Sequence, residues 1–387
     1  MKKEDISGLS VWIAILGGIA VYFYFVIRPH GTIQTSYVFG ATNWFVYVLF
    51  FFAAIIVGVI FNAILFELAH AAGAKAGRYE IVSINILGFM FFKDQGKTKF
   101  HMARFDGLTG ETKILPKKNA KKEPNPSAFL LFGSLFYGLE IVLVLFAYLL
   151  ITSVQNTNTF AVDWAYFILT IGVVGGAILF YNIVPLRLDS LNDGYRLRLV
   201  GSRKNRHAFN QMLYTEVTGQ ISNELEEKAF KETKDSNFSA DINLNKAYVL
   251  MSEEKFGEAE SIFKEIIDNK KSSNKIVATA ENQIIYINML TKPFEEVEAY
   301  CGSNVSMDKK RELASDKSLG SIRTYILIAG IVDKSHYECL RALEASRKSY
   351  SRVPDPRKPL EKALFNKALE KVIIAHPSWE ELKSFIL

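Results

Sequence analysis

The segment from Phe66 to His70, Phe-Glu-Leu-Ala-His, closes a long apolar run and carries the residue types of a hydrolytic centre. A helix places residues three and four positions apart on one face, so Glu67 and His70 are neighbours there. This pair matches the second half of a His-Glu-x-x-His motif, in which two histidines hold zinc and the glutamate acts as general base. Phe66 stands where the first histidine of that motif would be.

A second polar segment follows the last apolar run. Asn182 and Pro185 belong to an Asn-Ile-Val-Pro sequence, whose proline must break or kink a helix, and Asp193 follows it. A catalytic zinc ion needs three protein ligands and an open position for water. Asp193 can supply an oxygen ligand at the broken helix end, and Asp189 is a competing carboxylate four residues earlier.

Apolar residues are concentrated before residue 190, and they predict a membrane protein. Four runs are long enough to cross about 30 Å of hydrocarbon. These runs are Ile6–Ile27, Trp44–Phe66, Ser127–Thr152 and Trp164–Leu186. The first run is too long for a signal peptide and lacks a small-residue cleavage site. The net charge of +6 is interpreted as an orientation signal and not as a footprint for nucleic acid.

The basic residues near these runs predict the orientation of the chain. The loop from 75 to 125 contains eleven Lys or Arg residues, whereas the loops at 29–43 and 153–163 contain none. The positive-inside rule therefore places the N-terminus, the 75–125 loop and the whole C-terminal half in the cytoplasm. This pattern suits a multi-pass protein of a bacterial cell membrane.

Polar residues inside the apolar runs are expected to face the protein interior or a wet cavity, because lipid cannot solvate them. Asn62 and Glu67 interrupt the second run near its inner end, and Glu140 lies in the middle of the third. A buried acid such as Glu140 is a functional candidate, with a hydrogen-bonded packing role as the alternative.

The loop after the second run has the composition of a small sheet. Tyr79–Phe92 is rich in Ile, Val and Phe, and Lys99–Pro116 contains Asp106-Gly107 and Gly110 as turn signals. We expect two or three strands over residues 78–116. The basic run Lys113–Lys122 is interpreted as an electrostatic contact with anionic lipid.

The C-terminal half has helical periodicity with polar faces. Leu244–Asn269 predicts a helical hairpin in which Ala247 and Ala259 sit at the crossing, as in a tetratricopeptide unit. Further helices are predicted at Lys275–Leu290, Ser318–Val332, His336–Tyr350, Leu360–Ala375 and Trp379–Ile386. Such a domain most often binds a cytoplasmic protein, and a structural cap is the alternative. Cys301 and Cys339 have no metal-ligand spacing and carry no disulfide argument.

The predicted fold class is therefore mainly α. It combines a polytopic helical bundle of four spans, a small cytoplasmic β-region and a soluble α-helical, repeat-like domain. The predicted domains are an N-terminal span with its outer loop over residues 1–43, a membrane domain over 44–200 and a cytoplasmic helical domain over 203–387.

The order and orientation of these parts resemble the site-2 protease family of intramembrane zinc metalloproteases. That family has His-Glu-x-x-His at the inner end of one span, a strand-rich loop, and Asn-x-x-Pro followed by Asp-Gly at a later span. The resemblance covers about residues 44–200. It implies that Glu67 is the catalytic base, that His70 and Asp193 are zinc ligands, and that Asn182 and Pro185 shape the substrate channel. Asp193 is preferred to Asp189 because Gly194 and the following Tyr-Arg-Leu reproduce the family's motif.

The sequence departs from this family at two points. Phe66 replaces a ligand, and Asp193 lies further from Pro185 than the family's commonest spacing. We therefore expect a degenerate site in which zinc is absent or weakly bound, and a protein that binds a membrane segment or peptide without cutting it. An active metallopeptidase with a substitute ligand is one alternative, with Asp189, Glu140 or His101 in that role. A membrane-anchored scaffold that acts through its cytoplasmic helical domain is the other.

Overall fold

The computed structural model describes residues 3–28, 44–94, 96–102, 110–117, 123–153, 159–185, 192–220, 237–269 and 272–387. The chain is mainly helical and forms two compact units. The first unit contains Met1–Phe92 and Thr98–Arg206, and the second contains Lys93–Lys97 and His207–Leu387.

Four long apolar helices build most of the first unit, as the hydropathy pattern predicts. They are α1 (Lys3–Tyr22, continued by a π-helical turn at Phe23–Ile27), α2 (Trp44–Ala76), α3 (Pro126–Ser153) and α4 (Thr159–Ile183). Each contains a stretch long and apolar enough to cross a membrane. Helix α4 ends at Ile183, before the predicted Leu186, because the residue before Pro185 is sterically excluded from helical geometry.

Glycines allow helices α2, α3 and α4 to approach closely. A Cβ atom added to Gly73 on α2 would lie 2.6 Å from the carbonyl oxygen of Ala128 on α3. A Cβ atom on Gly58 would lie 3.3 Å from the Cα atom of Ile171 on α4. Small residues at such crossings are the usual device for packing helices that have no solvent-driven attraction between them.

A four-stranded sheet follows α2, with strands β1 (Tyr79–Ile86), β2 (Phe89–Asp94), β3 (Lys97–Met102) and β4 (Gly110–Pro116). The strand order is β3-β2-β1-β4, and β1 pairs antiparallel with both β2 and β4. The sheet has one strand more than the upper prediction because Leu87 and Gly88 both have positive φ and close a tight hairpin within the Tyr79–Phe92 segment. The predicted turn at Asp106-Gly107 lies outside the described residues.

Two shorter helices, α5 (Asp193–Val200) and α6 (Arg203–Thr218), follow the last long helix. The second unit then contains α7 (Asn237–Ser252), α8 (Phe256–Asp268), α9 (Asn274–Thr291), α10 (Phe294–Asn304), α11 (Met307–Ser315), α12 (Leu319–Leu327), α13 (His336–Tyr350) and α14 (Lys358–Ala375). A π-helical turn at Ile328–Val332 extends α12, and short 3₁₀ turns lie at Asp355–Arg357 and Glu380–Phe385.

The helices of the second unit agree with most of the predicted ones. Helices α7 and α8 form the predicted hairpin, and Ala247 and Ala259 are fully buried at its core. The predicted helix Trp379–Ile386 is present as a 3₁₀-helix over Glu380–Phe385 and not as an α-helix. Helices α10 and α11 were not predicted, although Ser306 is an N-cap whose side chain accepts a hydrogen bond from Lys309 N.

A buried polar network lies within the core of the second unit. The guanidinium group of Arg323 is fully buried and donates to Gln283 Oε1 at 2.6 Å and to Glu361 Oε2 at 3.2 Å. Arg357 donates to the other oxygen of Glu361 at 3.2 Å. The network ties together α9, α12 and α14, since burying an unpaired charge would cost several kcal/mol.

Ala259→Leu tests the close crossing of α7 and α8. The larger side chain has no space there, so we expect a loss of about 1–3 kcal/mol of stability.

The unfolding of this unit can be followed through its cysteines. The only two cysteines of the chain, Cys301 and Cys339, are both buried in this unit. Burial raises the pKa of the Cys339 thiol to about 12. A thiol-reactive fluorophore added during heating of the full-length protein therefore reports the unfolding of this unit.

Ser261→Leu on the exposed face of α8 is the matched control and should leave the labelling midpoint unchanged. Equal midpoints for Ala259→Leu and wild type would show that the crossing has room to spare.

Candidate functional site

Three ionisable side chains from two distant parts of the sequence meet near the C-terminal end of α2. Nε2 of His70 lies 3.0 Å from Oδ2 of Asp193, the first residue of α5. Nδ1 of His70 lies 4.0 Å from Oε2 of Glu67, one helical turn earlier. All three side chains are buried. The structure thus brings together the base and both ligands that the sequence singled out.

Asn192 positions Asp193 at the end of α4. Its side-chain oxygen accepts from Tyr195 N at 3.1 Å, which makes Asn192 the N-cap of α5. Its side-chain nitrogen donates to the carbonyl oxygens of Tyr181 at 2.7 Å and Val184 at 2.6 Å. Asp193 is therefore the first residue of α5 and not its N-cap. Sequence reasoning missed Asn192, although an Asn before a short helix is an ordinary capping signal.

Gly194 allows this junction to close. A Cβ atom at this position would lie 2.1 Å from the carbonyl oxygen of Ile183, so only glycine fits beside the end of α4. The competing carboxylate, Asp189, lies outside the described residues.

Thr112 on β4 completes the cluster, and it was not identified from the sequence. Its hydroxyl group donates to Oε2 of Glu67 at 2.6 Å. Thr112 and Ile114 alternate with Glu111 and Lys113 along the strand and turn to the buried side. This period of two was the available signal, because alternate residues of a strand face the same side of the sheet. The sheet therefore provides a hydrogen bond to the glutamate on α2.

Phe66, which stands where the zinc motif has its first histidine, places an aromatic ring against His70. The centroid of its ring lies 4.2 Å from that of His70 and 5.4 Å from that of Tyr137, on which it stacks. Phe129 contacts the His70 ring at 4.8 Å. Gly133 provides the space, since a Cβ atom there would lie 2.5 Å from Cε2 of Phe66. The imidazole is thus held by two phenyl rings as well as by Asp193.

The donor atoms at this cluster do not fit a catalytic zinc site. His70 and Asp193 offer two ligands, Glu67 is bonded to Thr112, and a phenyl ring offers none. Within the described parts of the chain, no group of three His, Cys, Asp or Glu side chains is arranged to hold a metal ion. A third ligand at this site would have to come from elsewhere in the fold.

The two substitute ligands within the described residues are too far away. Glu140 lies seven residues beyond Gly133 on α3, which corresponds to about 10 Å along the helix axis. His101 is on β3, three strands away from Thr112 on β4, which corresponds to about 14 Å across the sheet. Neither side chain can join His70 and Asp193 without a rearrangement of the fold.

The residues predicted to shape a channel lie at the end of α4 beside this cluster. The Asn182 side chain donates to the carbonyl oxygen of Ile178 at 3.0 Å, within its own helix. The Asn182 carbonyl oxygen faces Gly194 on α5. Pro185 is exposed where the helix has ended. Their contacts place the end of α4 against α5, and a role in a channel stays a prediction.

Gly133→Ala tests the contact between α3 and the Phe66 ring. The new methyl group has no space, so we expect a loss of about 1–3 kcal/mol of stability. Gly138→Ala, on the same helix with nothing within 4 Å of the added atom, is the matched control and should not destabilise. Stability is followed as the folded fraction on size-exclusion chromatography after heating in detergent.

Phe66→Leu in the same experiment tests which side chain causes the loss. The Gly133→Ala change should cost less in the Phe66→Leu background than in wild type, because the shorter side chain leaves space for the methyl group. Strictly additive losses would contradict the contact.

No protein-family model, curated protein or solved structure matches this chain. What the cluster does is therefore inferred from its own geometry. Glu67, His70 and Asp193 are buried, each lies within hydrogen-bond or ion-pair distance of another member or of Thr112, and the phenyl ring of Phe66 packs beside them.

Proposed function

We propose that this protein is a multi-pass membrane protein with the plan of a site-2 protease, which binds a membrane-embedded peptide segment without hydrolysing it. Large apolar side chains on the outer faces of the four long helices support the insertion in a bilayer. Leu16, Ile56, Val142 and Phe146 are each at least 60% exposed. Apolar surface of this extent is unusual on a protein that faces water and is ordinary in contact with lipid.

The absence of cleavage is inferred from the Phe66 ring. It is buried between His70, Tyr137 and Gly133, so it is a packed part of the unit and not a side chain that can move aside for a ligand. Hydrolysis by zinc requires a third ligand to fix the metal and activate its water. The cluster is therefore assigned to binding, with its polar groups available to the backbone of a bound segment.

The position of β4 supports a peptide as the ligand. Strand β4 is at the edge of the sheet, and no described strand pairs with its outer side. An extended peptide can add to such an edge through main-chain hydrogen bonds. Thr112 on this strand contacts Glu67, so a peptide that pairs with β4 lies next to the buried cluster.

Phe66→His tests whether a histidine at position 66 is sufficient to create a zinc site. We expect wild-type protein purified in detergent to hold no stoichiometric zinc and Phe66→His to gain about one zinc ion per chain, measured by elemental analysis. Phe66→His combined with His70→Ala is the control and should lose that zinc. Stoichiometric zinc in wild type that disappears in His70→Ala would instead support an active metallopeptidase with a substitute ligand.

A photoreactive phenylalanine analogue at Ile183 tests binding. Ile183 is 46% exposed at the end of α4, next to the Asp193–Gly194 junction. Irradiation of native membranes should give one discrete adduct of full-length partner, and Asp193→Ala should abolish it. Glu67→Gln should leave the size of the partner unchanged, because no cleavage takes place.

The same analogue at Leu149 is the matched control and should give lipid adducts only. Leu149 is 61% exposed and lies near the C-terminal end of α3, far along that helix from Gly133. Identical lipid adducts at Ile183 and Leu149 would contradict binding and favour the scaffold alternative. A partner that accumulates as an uncut form only in Glu67→Gln would indicate proteolysis.

A further inference from the structure

A second polar cluster lies between helices α2, α3 and α4, and neither the proposed binding function nor the packing of the bundle accounts for it. It consists of Asn62 on α2 and Glu140 on α3, which meet beside Gly175 on α4. Asn62 has no exposed surface, and Glu140 is 7% exposed. A Cβ atom on Gly175 would lie 2.8 Å from Oδ1 of Asn62 and 2.8 Å from Oε2 of Glu140. The glycine therefore gives the two oxygens access to the same small space.

The orientation of the Asn62 amide group is determined by its surroundings. Its nitrogen donates to the carbonyl oxygens of Gly58 at 2.8 Å and Ile171 at 3.3 Å. The opposite orientation would place the amide oxygen against two carbonyl oxygens, which is unfavourable. The amide oxygen must therefore point towards Gly175 and Glu140.

No donor reaches these oxygens. Oδ1 of Asn62 and both carboxyl oxygens of Glu140 lack a hydrogen-bond partner among the described residues. The nearby hydroxyl group of Tyr137 is already used, since it donates to the main-chain oxygen of Asn62 at 2.8 Å. Each buried acceptor without a partner costs about 1–3 kcal/mol, and an isolated buried carboxylate costs far more. The cluster is missing one hydrogen between two acceptors.

We propose that Glu140 and Asn62 form a binding site for one exchangeable proton in the interior of the helical bundle. The proton resides on the Glu140 carboxyl group and forms an O–H···O hydrogen bond to Oδ1 of Asn62. Its transfer to water leaves a carboxylate that faces the amide oxygen, and the two acceptors then repel each other across Gly175. The inference requires only the described helices and does not rest on the proposed binding function.

The groups around the site provide no counter-charge for an ionised Glu140. Helix α4 has no titratable residue between Tyr166 and Tyr181, and α3 has only Glu140 between Tyr137 and Tyr148. The next titratable residue after Asn62 along α2 is Glu67, itself an acid. On α1, Tyr22 bonds to Thr170 at 3.1 Å. Among the described side chains of these four helices, no lysine or arginine faces Glu140, so a proton is the simplest source of the missing positive charge.

Tyr137 connects the proton site to the candidate functional site around His70. The Tyr137 hydroxyl group holds the main chain of Asn62, and its ring stacks on Phe66, which contacts His70. If Asn62 moves away from Glu140, it pulls on Tyr137. Tyr137 in turn packs against Phe66 in the candidate functional site. Loading and release of the proton can change that packing without a ligand at His70.

Infrared spectroscopy of the full-length protein in detergent tests the proposal directly. A protonated carboxyl group has a carbonyl band above the amide bands, and exchange into D₂O shifts it. We expect such a band in wild type at neutral pH, its absence in Glu140→Gln, and a shift to higher frequency in Asn62→Leu, where the hydrogen-bond acceptor is lost. The band should disappear from wild type as the pH is raised.

Thermal stability provides a second readout that does not depend on assigning a band. A Gln at position 140 can donate its amide hydrogen to Asn62 Oδ1, so Glu140→Gln should be at least as stable as wild type at high pH. The stability difference between the two proteins should grow as the pH rises, because only wild type loses a proton there. Glu111→Gln changes an exposed carboxylate on β4 and should behave as wild type at every pH.

Identical infrared spectra of wild type and Glu140→Gln in the carboxyl region would show that Glu140 is ionised and would overturn the proposal. Loss of the wild-type band when sodium is added at constant pH would also overturn the proposal, because it would show that the site binds a sodium ion. A stability difference that is constant with pH would contradict proton release.

Discussion

The hydrogen bond between His70 and Asp193 is the interaction on which the arrangement of the first unit depends. It joins the C-terminal part of α2 to the start of α5, across 123 positions of the sequence. Asn192 and Gly194 fix α5 against the end of α4, so the same bond ties the second and fourth long helices together. In an interior that offers few partners, a buried imidazole and a buried carboxylate satisfy each other. Phe66 packs on the same imidazole, and β4 contacts Glu67 one helical turn earlier.

The small sheet contributes a hydrogen-bond donor to this arrangement. It begins directly after α2, and its edge strand β4 returns to place Thr112 on Glu67. The cluster therefore combines residues of two helices and one strand, and side-chain direction follows one rule in the helices and another in the strand. Helix α2 alone presents Glu67 and His70 together, whereas the hydroxyl group that donates to the glutamate comes from β4.

The long helices were predictable from the sequence, because apolar runs of this length indicate long apolar helices and polar loops separate them. The proximity of His70 and Asp193 was also predicted, since the order of the motifs and the predicted direction of the spans place both residues at the same end of the helices. Thr112, Asn192 and Gly133 were not predicted. Each depends on a distance between elements that no local pattern encodes, although the alternation along β4 and the capping role of Asn carried partial signals. In the second unit, the burial of Arg323 could not be predicted from periodicity. A charged residue is expected at the surface unless its buried partners, here Gln283 and Glu361, are known.

Gly133 decides which ring position 66 can hold. Its missing side chain is the complement of the Phe66 ring, and a His ring is smaller than a Phe ring, so histidine at position 66 meets no steric barrier from α3. One substitution would therefore place a second imidazole beside His70 for as long as residue 133 stays a glycine. A side chain at residue 133 would take up the space of either ring, so the composition of this face depends on a residue that carries no functional group of its own.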